Sequence, residues 1–251
     1  MNSDIPSPGE TEATADPNMS FRNRLTSQAL LFDLDGVLVD SRRCIELIWK
    51  KWAFGRGLDP EPILRIAHGR RTGETLREFA PGLDVSAEVA ILDKMEEEET
   101  GGISPVPGAA ELLKAIPPDR WAIVTSGSRA VASLRLRIGG LPLPSVFISA
   151  HDVRRGKPSP EGYLIAATRL GFTPGDCIVV EDTPAGIASG KGASMRVIAI
   201  AGTCPPERLS EADILAPSLS SVCVRCGTRG QLVVSVSSPS SVRTTGTAQN
   251  D

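Results

Sequence analysis

The chain has 251 residues, of which 41% are hydrophobic and 23% are charged. This is the composition of an ordinary globular protein, with enough apolar side chains for one large domain or two modest ones. The formal net charge of −3 gives no electrostatic reason to expect binding to nucleic acid or to an anionic membrane surface.

The apolar runs fall short of the roughly 18 residues that a membrane span needs, and the N-terminus lacks the basic-then-apolar pattern of a secretion signal. The five cysteines are scattered and odd in number, which fits a reducing compartment. We therefore expect a cytoplasmic protein, taken as a monomer, with neither a nucleic-acid nor a membrane partner.

Both ends of the chain have the composition of disordered segments. Residues 1–26 are rich in Ser, Pro, Gly and Glu and contain few apolar side chains, and residues 237–251 are rich in Ser and Thr. Such segments bury too little apolar surface to offset the entropy of ordering. We predict that residues 1–26 and 237–251 are disordered and that the fold lies between them.

A pair of aspartates follows the first strongly apolar run. Leu30, Leu31 and Phe32 predict a buried strand, Asp33 and Asp35 come directly after it, and a glycine that lets the backbone turn comes next. Because neighbouring carboxylates repel each other and are costly to desolvate, such a pair persists when a cation lies between them or when one is protonated. Either state suits chemistry on an anion, and the alternative is a plain Asx turn after a core strand.

The next 60 residues predict helices and no strand. Ser41 is a candidate N-cap for a first helix, and further helices are predicted over 61–67, 72–80 and 86–99. The acidic run 96–99 is interpreted as the solvated end of the last helix, because adjacent glutamates point in different directions around a helix. This region is a small all-helical insert.

From residue 107 onward, short apolar strands alternate with helices. Strands are predicted over 121–124, 146–148, 177–180 and 196–200, and helices over 108–116, 128–138, 160–170 and 184–191. This alternation predicts an α/β fold with a doubly wound parallel sheet covered on both faces. Ligands of such sheets bind at the carboxyl ends of the strands.

Polar groups occur at those strand ends. Ser126 and Gly127 follow the second strand and open a helix, so they could receive a phosphate oxygen, although they could equally be an ordinary capped turn. Glu181 and Asp182 follow the strand over 177–180. Lys157 precedes a proline that fixes the local backbone, and it could neutralise charge at the site or simply face solvent.

Four segments, in order, resemble the motifs of the haloacid dehalogenase-like phosphohydrolases: Asp33 to Ser41, Ser126 (with Thr125 as the residue it could be confused with), Lys157, and Glu181–Asp182. The resemblance implies that Asp33 is the nucleophile and forms an aspartyl-phosphate. It implies that Asp35 is the general acid and base, and burial beside other carboxylates would favour its protonated form.

The same resemblance implies a Mg²⁺ cofactor, held by Asp33, the backbone carbonyl of Asp35, Asp182 and Glu181. It also implies a catalytic core made of residues 27–43 and 103–236, with residues 44–102 forming a helical cap. The core binds a phosphoryl group, so the cap is expected to select the leaving group.

The loop His68-Gly69-Arg70-Arg71 resembles the cap loop of glycerol-phosphate and 2-deoxyglucose-6-phosphate phosphatases. The resemblance implies a small sugar or polyol phosphate as substrate, contacted by this loop. The alternative is a basic turn in which Thr72 caps the following helix.

Two other functions stay open. A hexose-phosphate mutase of the same superfamily would use the same aspartates, and an inactive binding protein on this fold is the third possibility. The pair Cys223 and Cys226 is interpreted as a coincidence, because a single C-x-x-C without a second pair or a nearby histidine is a weak metal signal.

Overall fold

A six-stranded parallel sheet lies at the centre of the protein in the computed structural model, which describes residues 23–228 and 230–237. Every neighbouring pair of its strands is parallel. Across the sheet the strands are β6 (Val146–Ile148), β5 (Trp121–Val124), β2 (Ala29–Phe32), β7 (Cys177–Glu181), β8 (Arg196–Ile200) and β9 (Ile214–Ala216). The predicted doubly wound α/β fold is confirmed, and β9 is a strand that the sequence interpretation did not include.

Helices cover both faces of this sheet: α5 (Ala109–Lys114), α6 (Arg129–Ile138), α7 (Glu161–Leu170) and α8 (Pro184–Gly192). Alternate residues of β2 enter two separate apolar clusters, Leu30 and Phe32 in one and Ala29 and Leu31 in the other. This follows from the two-residue period of a strand. The strand has no polar face because both of its faces are buried.

The insert after the first strand consists of four helices, α1 (Arg42–Gly55), α2 (Pro60–Ala67), α3 (Thr72–Phe79) and α4 (Val85–Glu98). They surround an apolar cluster of their own that includes Trp49, Trp52 and Leu92. Two short antiparallel strands, β3 (Val39–Asp40) and β4 (Ser104–Pro105), pair where the chain enters and leaves the insert. We call α1 to α4 the cap and the rest of the fold the core.

Two details of the cap differ from the sequence interpretation. The first helix begins at Arg42, two residues before the predicted cap boundary at 44, and Ser41 holds the N-cap position without a capping bond from its side chain. Thr72 is the first residue of α3 and not its N-cap, which is Arg71. Both Ser41 and Arg71 instead use their side chains in contacts described below.

A second, three-stranded antiparallel sheet corrects the predicted N-terminal disorder. Strand β1 (Arg24–Ser27) pairs with β11 (Leu232–Val236), which also pairs with β10 (Val222–Cys226). Residues 24–26 were therefore wrongly assigned to a disordered segment: they are ordered by a strand more than 200 positions away, and Leu25 packs on the core. Residues 1–22 and 238–251 of the predicted disordered ends lie outside the described residues.

Strand geometry separates the two cysteines of the C-x-x-C pair. Cys223 and Cys226 lie three positions apart on β10, so their side chains point to opposite faces of the sheet. Both are free thiols. Within the described part of the chain, no helix is long and apolar enough to cross a membrane.

Candidate active site

The carboxyl ends of three neighbouring strands bring the predicted motifs together. Asp33 and Asp35 follow β2, Ser126 follows β5, and Glu181 ends β7 just before Asp182. Because β2 lies between β5 and β7, residues from three distant segments meet at one edge of the sheet. Asp33, Asp35, Ser126, Gly127 and Asp182 line a single cavity there.

A buried lysine joins two of these carboxylates. Lys157 Nζ lies 2.6 Å from Asp33 Oδ1 and 2.6 Å from Glu181 Oε1, and all three side chains are buried. Burial raises the pKa of Asp33 to about 7, although the Lys157 cation opposes the rise. Burial also disfavours the Lys157 cation, but the charges of Asp33 and Glu181 outweigh this effect of burial and hold the pKa of Lys157 above its ordinary value. The lysine is therefore charged at neutral pH.

Asp182 completes an acidic cluster, and no group in the described part of the chain donates a hydrogen bond of ordinary geometry to its carboxylate. One ligand atom each from Asp33, Glu181 and Asp182 lies within 4.8 Å of the others. Both carboxylate oxygens of Asp182 are buried without a hydrogen bond of ordinary geometry, although the Thr203 hydroxyl opposes the rise in its pKa. Burial, followed by the charges of Asp33 and Glu181, raises the pKa of Asp182 well above its usual range. These orphaned oxygens fit a hard divalent cation.

The backbone approaches this cluster closely at Gly36. Its φ of +88° lies in the left-handed region, and a Cβ there would lie 1.9 Å from Asp182 Oδ2. A side chain at this position would therefore be strained and would also displace the carboxylate. The glycine after the aspartate pair is required by the site as well as by the turn.

Glu181 has hydrogen-bond partners on both oxygens. Its Oε1 accepts from Tyr163 Oη at 2.8 Å in addition to the lysine, and its Oε2 accepts from the Asp182 amide and the Thr183 hydroxyl. A Cβ at Gly186 would lie within about 2 Å of this carboxylate, at 1.8 to 2.1 Å from its atoms. Glu181 is thus held in place at both oxygens and pairs with Lys157, and its role as a metal ligand stays a prediction.

Asp35 is bonded to different groups from those expected. Its Oδ1 accepts from Ser41 Oγ at 2.5 Å and from Arg135 Nη1 at 2.8 Å. The sequence interpretation placed Asp35 beside other carboxylates and Ser41 at a helix N-cap. Ser41 does hold that N-cap position, but its hydroxyl and a buried arginine from α6 converge on the same oxygen of Asp35, and neither bond was predicted.

Arg135 links Asp35 to the acidic run of the cap. Its Nη2 donates to Glu96 Oε2 at 3.0 Å, and both side chains are buried. The interpretation of residues 96–99 as a solvated helix end was therefore wrong for Glu96. A signal was present in the sequence: Arg135 lies on the stripe of Val131 and Ala132, and Glu96 lies on the stripe of Leu92, so each charge occupies a buried helix face.

The second motif contacts the cap. Ser126 Oγ donates to the Gly69 carbonyl at 2.8 Å, and the buried Thr125 hydroxyl accepts from the Gly127 amide at 3.1 Å. On the other side of the loop, a Cβ at Gly69 would lie 2.8 Å from the Thr183 hydroxyl. The cap loop therefore lies between the core turns that contain Ser126 and Thr183, and it covers the site. The phosphate-binding role of Ser126 and Gly127 stays a prediction.

The four residues of the predicted cap loop divide into two groups. His68, Gly69 and Arg70 line the cavity with the aspartates, whereas Arg71 does not. Arg71 donates to the carbonyls of Ala150 and Val153 and forms an ion pair with Glu74 at 2.6 Å. Arg71 therefore docks the cap on the core. Burial lowers the pKa of His68, which favours a neutral imidazole in the cavity.

The fold and the site define an α/β enzyme with a buried carboxylate–lysine centre under a helical cap. A family model described as haloacid dehalogenase-like hydrolase matches residues 28–194. The chain belongs to this family, and the family resemblance predicted from the sequence is confirmed.

Two curated relatives match nearly the whole fold. The chain is 44% identical over 214 residues to hexitol phosphatase A of Escherichia coli (strain K12), covering 82% of this chain and 98% of that protein. It is 37% identical to glycerol-1-phosphate phosphohydrolase 1 of Saccharomyces cerevisiae, in a match that covers 80% of this chain and 86% of that protein. Among solved structures, CbbY from Rhodobacter sphaeroides in complex with xylulose-(1,5)bisphosphate matches with a TM-score of 0.70 at 23% identity, covering 77% and 95%. At that identity the likeness concerns the fold alone.

Proposed function

We propose that this protein is a Mg²⁺-dependent phosphatase that hydrolyses a small polyol or sugar phosphate through an aspartyl-phosphate on Asp33. The observation that carries the proposal is the buried centre in which Lys157 bridges Asp33 and Glu181 at 2.6 Å while Asp182 keeps two unpartnered oxygens. Such a centre can hold a phosphate dianion next to a carboxylate only if cations offset the repulsion.

In the first step an oxygen of Asp33 bonds to phosphorus and the bond to the leaving oxygen breaks. Lys157 holds Oδ1 of Asp33, which leaves Oδ2 to attack. Asp35 gives its proton to the leaving alkoxide. In the second step a water oxygen bonds to phosphorus, the bond to Asp33 breaks, and Asp35 takes the proton from the water. Asp35 ends each cycle as it began.

The residues present fit the cation that this family implies. Asp33, Asp182 and the backbone carbonyl of Asp35 would hold Mg²⁺, with Glu181 as a further ligand if it exchanges one of its hydrogen bonds. When bound, the ion neutralises charge on the phosphoryl oxygens and on the attacking carboxylate. Lys157 supplies a second, permanent positive charge, because its two carboxylate partners keep it protonated.

The cavity above the aspartates suits a hydroxylated leaving group. His68 and Arg70 from the cap and Arg42 from α1 line it with polar donors, next to the apolar Ile45 and Trp49. Donors in a closed site select hydroxyl-bearing substrates strongly, because a substrate without the hydroxyl leaves them unpaired. The names of the two curated relatives, a hexitol phosphatase and a glycerol-1-phosphate phosphohydrolase, support a polyol phosphate as the first choice.

A screen of phosphorylated polyols and sugars tests the proposal, with Asp33→Asn as the matched inactive variant. We expect Mg²⁺-dependent phosphate release that is greatest for a polyol or hexose monophosphate and absent in the variant. Phosphate release by Asp33→Asn equal to the parent would overturn the assignment of the nucleophile. Turnover that requires a bisphosphorylated sugar primer and returns the phosphoryl group to sugar would favour the mutase instead. The monomeric state and the cytoplasmic location stay predictions.

A further inference from the structure

A single arginine connects the cap to the side chain of Asp35. Arg135 lies on α6 in the core with its side chain 3% exposed, and it is paired with Asp35 through Nη1 and with Glu96 through Nη2. Two ion pairs of the described residues join the cap to the core: Arg42–Asp40, whose side chains are exposed, and Glu96–Arg135, whose side chains are buried. A closed cap therefore contributes a carboxylate to the surroundings of Asp35.

The two carboxylates together stabilise the charge of Arg135, which solvent does not reach because the side chain is buried. Burial disfavours the Arg135 cation, but the charges of Asp35 and Glu96 outweigh this effect of burial, so the pKa of Arg135 lies above its ordinary value. The guanidinium is planar and presents its nitrogens as a fork. With one arm on each carboxylate, its position is fixed from two sides.

Because Arg135 donates one nitrogen to Asp35 and the other to Glu96, the arrangement determines which oxygen of Asp35 is free. Ser41 and Arg135 both donate to Oδ1, and in the described residues no hydrogen bond reaches Oδ2. Two donors on one oxygen prevent rotation of the carboxyl group, so Oδ2 is the oxygen available to a leaving group or a water. Glu96 keeps the second arm of Arg135 occupied. Without Glu96 the fork can turn and bind both oxygens of Asp35, which is the favoured arginine–carboxylate geometry.

We propose that Glu96 and Arg135 are positioning residues that hold Asp35 Oδ2 free for proton transfer, and that the cap supplies this function through Glu96. The inference rests on the proposed function, because it takes Asp35 as the acid and base. Glu96 touches neither the substrate phosphoryl group nor the nucleophile in this assignment; it acts through the arginine.

The dependence of the rate on the leaving group isolates this role. Substituted phenyl phosphates share the same phosphoryl group and aromatic ring but differ in how much the leaving oxygen needs a proton, so p-nitrophenyl phosphate needs little help and phenyl phosphate needs more. For Glu96→Ala, kcat/KM for phenyl phosphate should fall by about tenfold or more relative to p-nitrophenyl phosphate, a part of the ~10²–10⁴ that a general acid contributes. Glu96→Gln keeps an acceptor for Nη2 and should retain most of the ratio. Glu97→Ala, one position along and exposed, should leave it unchanged.

Two further variants make the outcome decisive. Asp35→Asn gives the ratio of kcat/KM for phenyl phosphate to kcat/KM for p-nitrophenyl phosphate when the acid is fully lost. Arg135→Lys cannot place separate nitrogens on both carboxylates, so it should shift this ratio in the same direction as Glu96→Ala. Arg135→Lys also serves if circular dichroism shows that Glu96→Ala is unfolded. If the parent and Asp35→Asn behave as proposed but neither Glu96→Ala nor Arg135→Lys changes the ratio, the positioning role is overturned and the proposed function stands. If the parent releases phosphate from neither ester and from no polyol or sugar phosphate, the proposed function fails first.

Discussion

Replacing Lys157 by Met removes the charge at the centre of the site and keeps a side chain of similar length. Lys157 lies 2.6 Å from both Asp33 and Glu181, and its side chain is 5% exposed. Breaking a buried ion pair by removing one partner costs about 3–5 kcal/mol, because the other charge is left uncompensated. For a protein of this size that corresponds to a fall in Tm of roughly 6–20 °C. Without Lys157, Asp33 loses the cation that opposes the rise in its pKa.

The assay is thermal unfolding in EDTA, together with kcat/KM for the preferred substrate. Lys191→Met is the matched control, since the Lys191–Asp213 pair is 2.8 Å long but 42% and 31% exposed, and exposed pairs contribute about 0–1 kcal/mol. The double variant Lys157→Met, Asp33→Asn should lose less stability than the sum of the single changes, by about 0.5–3 kcal/mol, because it removes the orphaned carboxylate. Strict additivity, or equal Tm losses for the two lysine variants, would refute the reasoning.

The other predictions concern the metal, the cap loop and one glycine. The pKa of Asp33 is raised to about 7 and that of Asp182 well above its usual range in the folded state, so without metal the stability that they contribute falls as pH rises above their ordinary pKa values. Mg²⁺ binds only the deprotonated carboxylates, so its Kd falls as they lose their protons. The free energy of stabilisation that it adds is about RT ln(1 + [Mg²⁺]/Kd), and the Mg²⁺-induced rise in Tm should therefore grow between pH 5 and pH 8. A rise that is independent of pH, or that survives in Asp182→Asn, would contradict this. Arg70→Ala should lower kcat/KM for a polyol phosphate by about tenfold or more, roughly 1.4 kcal/mol, and leave kcat/KM for p-nitrophenyl phosphate unchanged. Arg71→Ala should lower kcat/KM for both substrates, because it removes the contacts that dock the cap. Identical substrate profiles for the two variants would contradict this difference between Arg70 and Arg71. Gly186→Ala should cost about 1–3 kcal/mol of stability by displacing the Glu181 carboxylate, while Gly175→Ala, with open space around its Cβ position, should be near neutral in denaturant unfolding.

The sequence was sufficient where the information is local. The apolar run before Asp33 and the alternation of strands and helices predicted the central sheet within a residue or two at most strand ends, because buried parallel strands carry no polar face. The rule that ligands bind at the carboxyl ends of such strands then brought Asp33, Ser126 and Asp182 to one place.

Other features depend on contacts between distant segments. Strand β1 forms because β11 lies beside it, and a four-residue strand has too little pattern of its own to be recognised. The exposure expected of Glu96 was wrong because its partner comes from another helix: a charged residue on a buried helix face can be recognised as anomalous from the sequence, but its partner cannot. Arg70 and Arg71 are adjacent and chemically identical, and only the fold shows that one faces the cavity and the other the core.

The most direct test of the account is to trap the covalent intermediate on Asp33. The Asp35→Asn variant should transfer a phosphoryl group from p-nitrophenyl phosphate but lack the base that activates water, so it should release p-nitrophenol in a burst of one equivalent. Acid quenching within the burst, followed by peptide mass spectrometry, should find one phosphoryl group on the peptide that contains Asp33. Steady turnover by the parent, without a burst in the variant and without phosphate on that peptide, would contradict the central claim that Asp33 is the nucleophile.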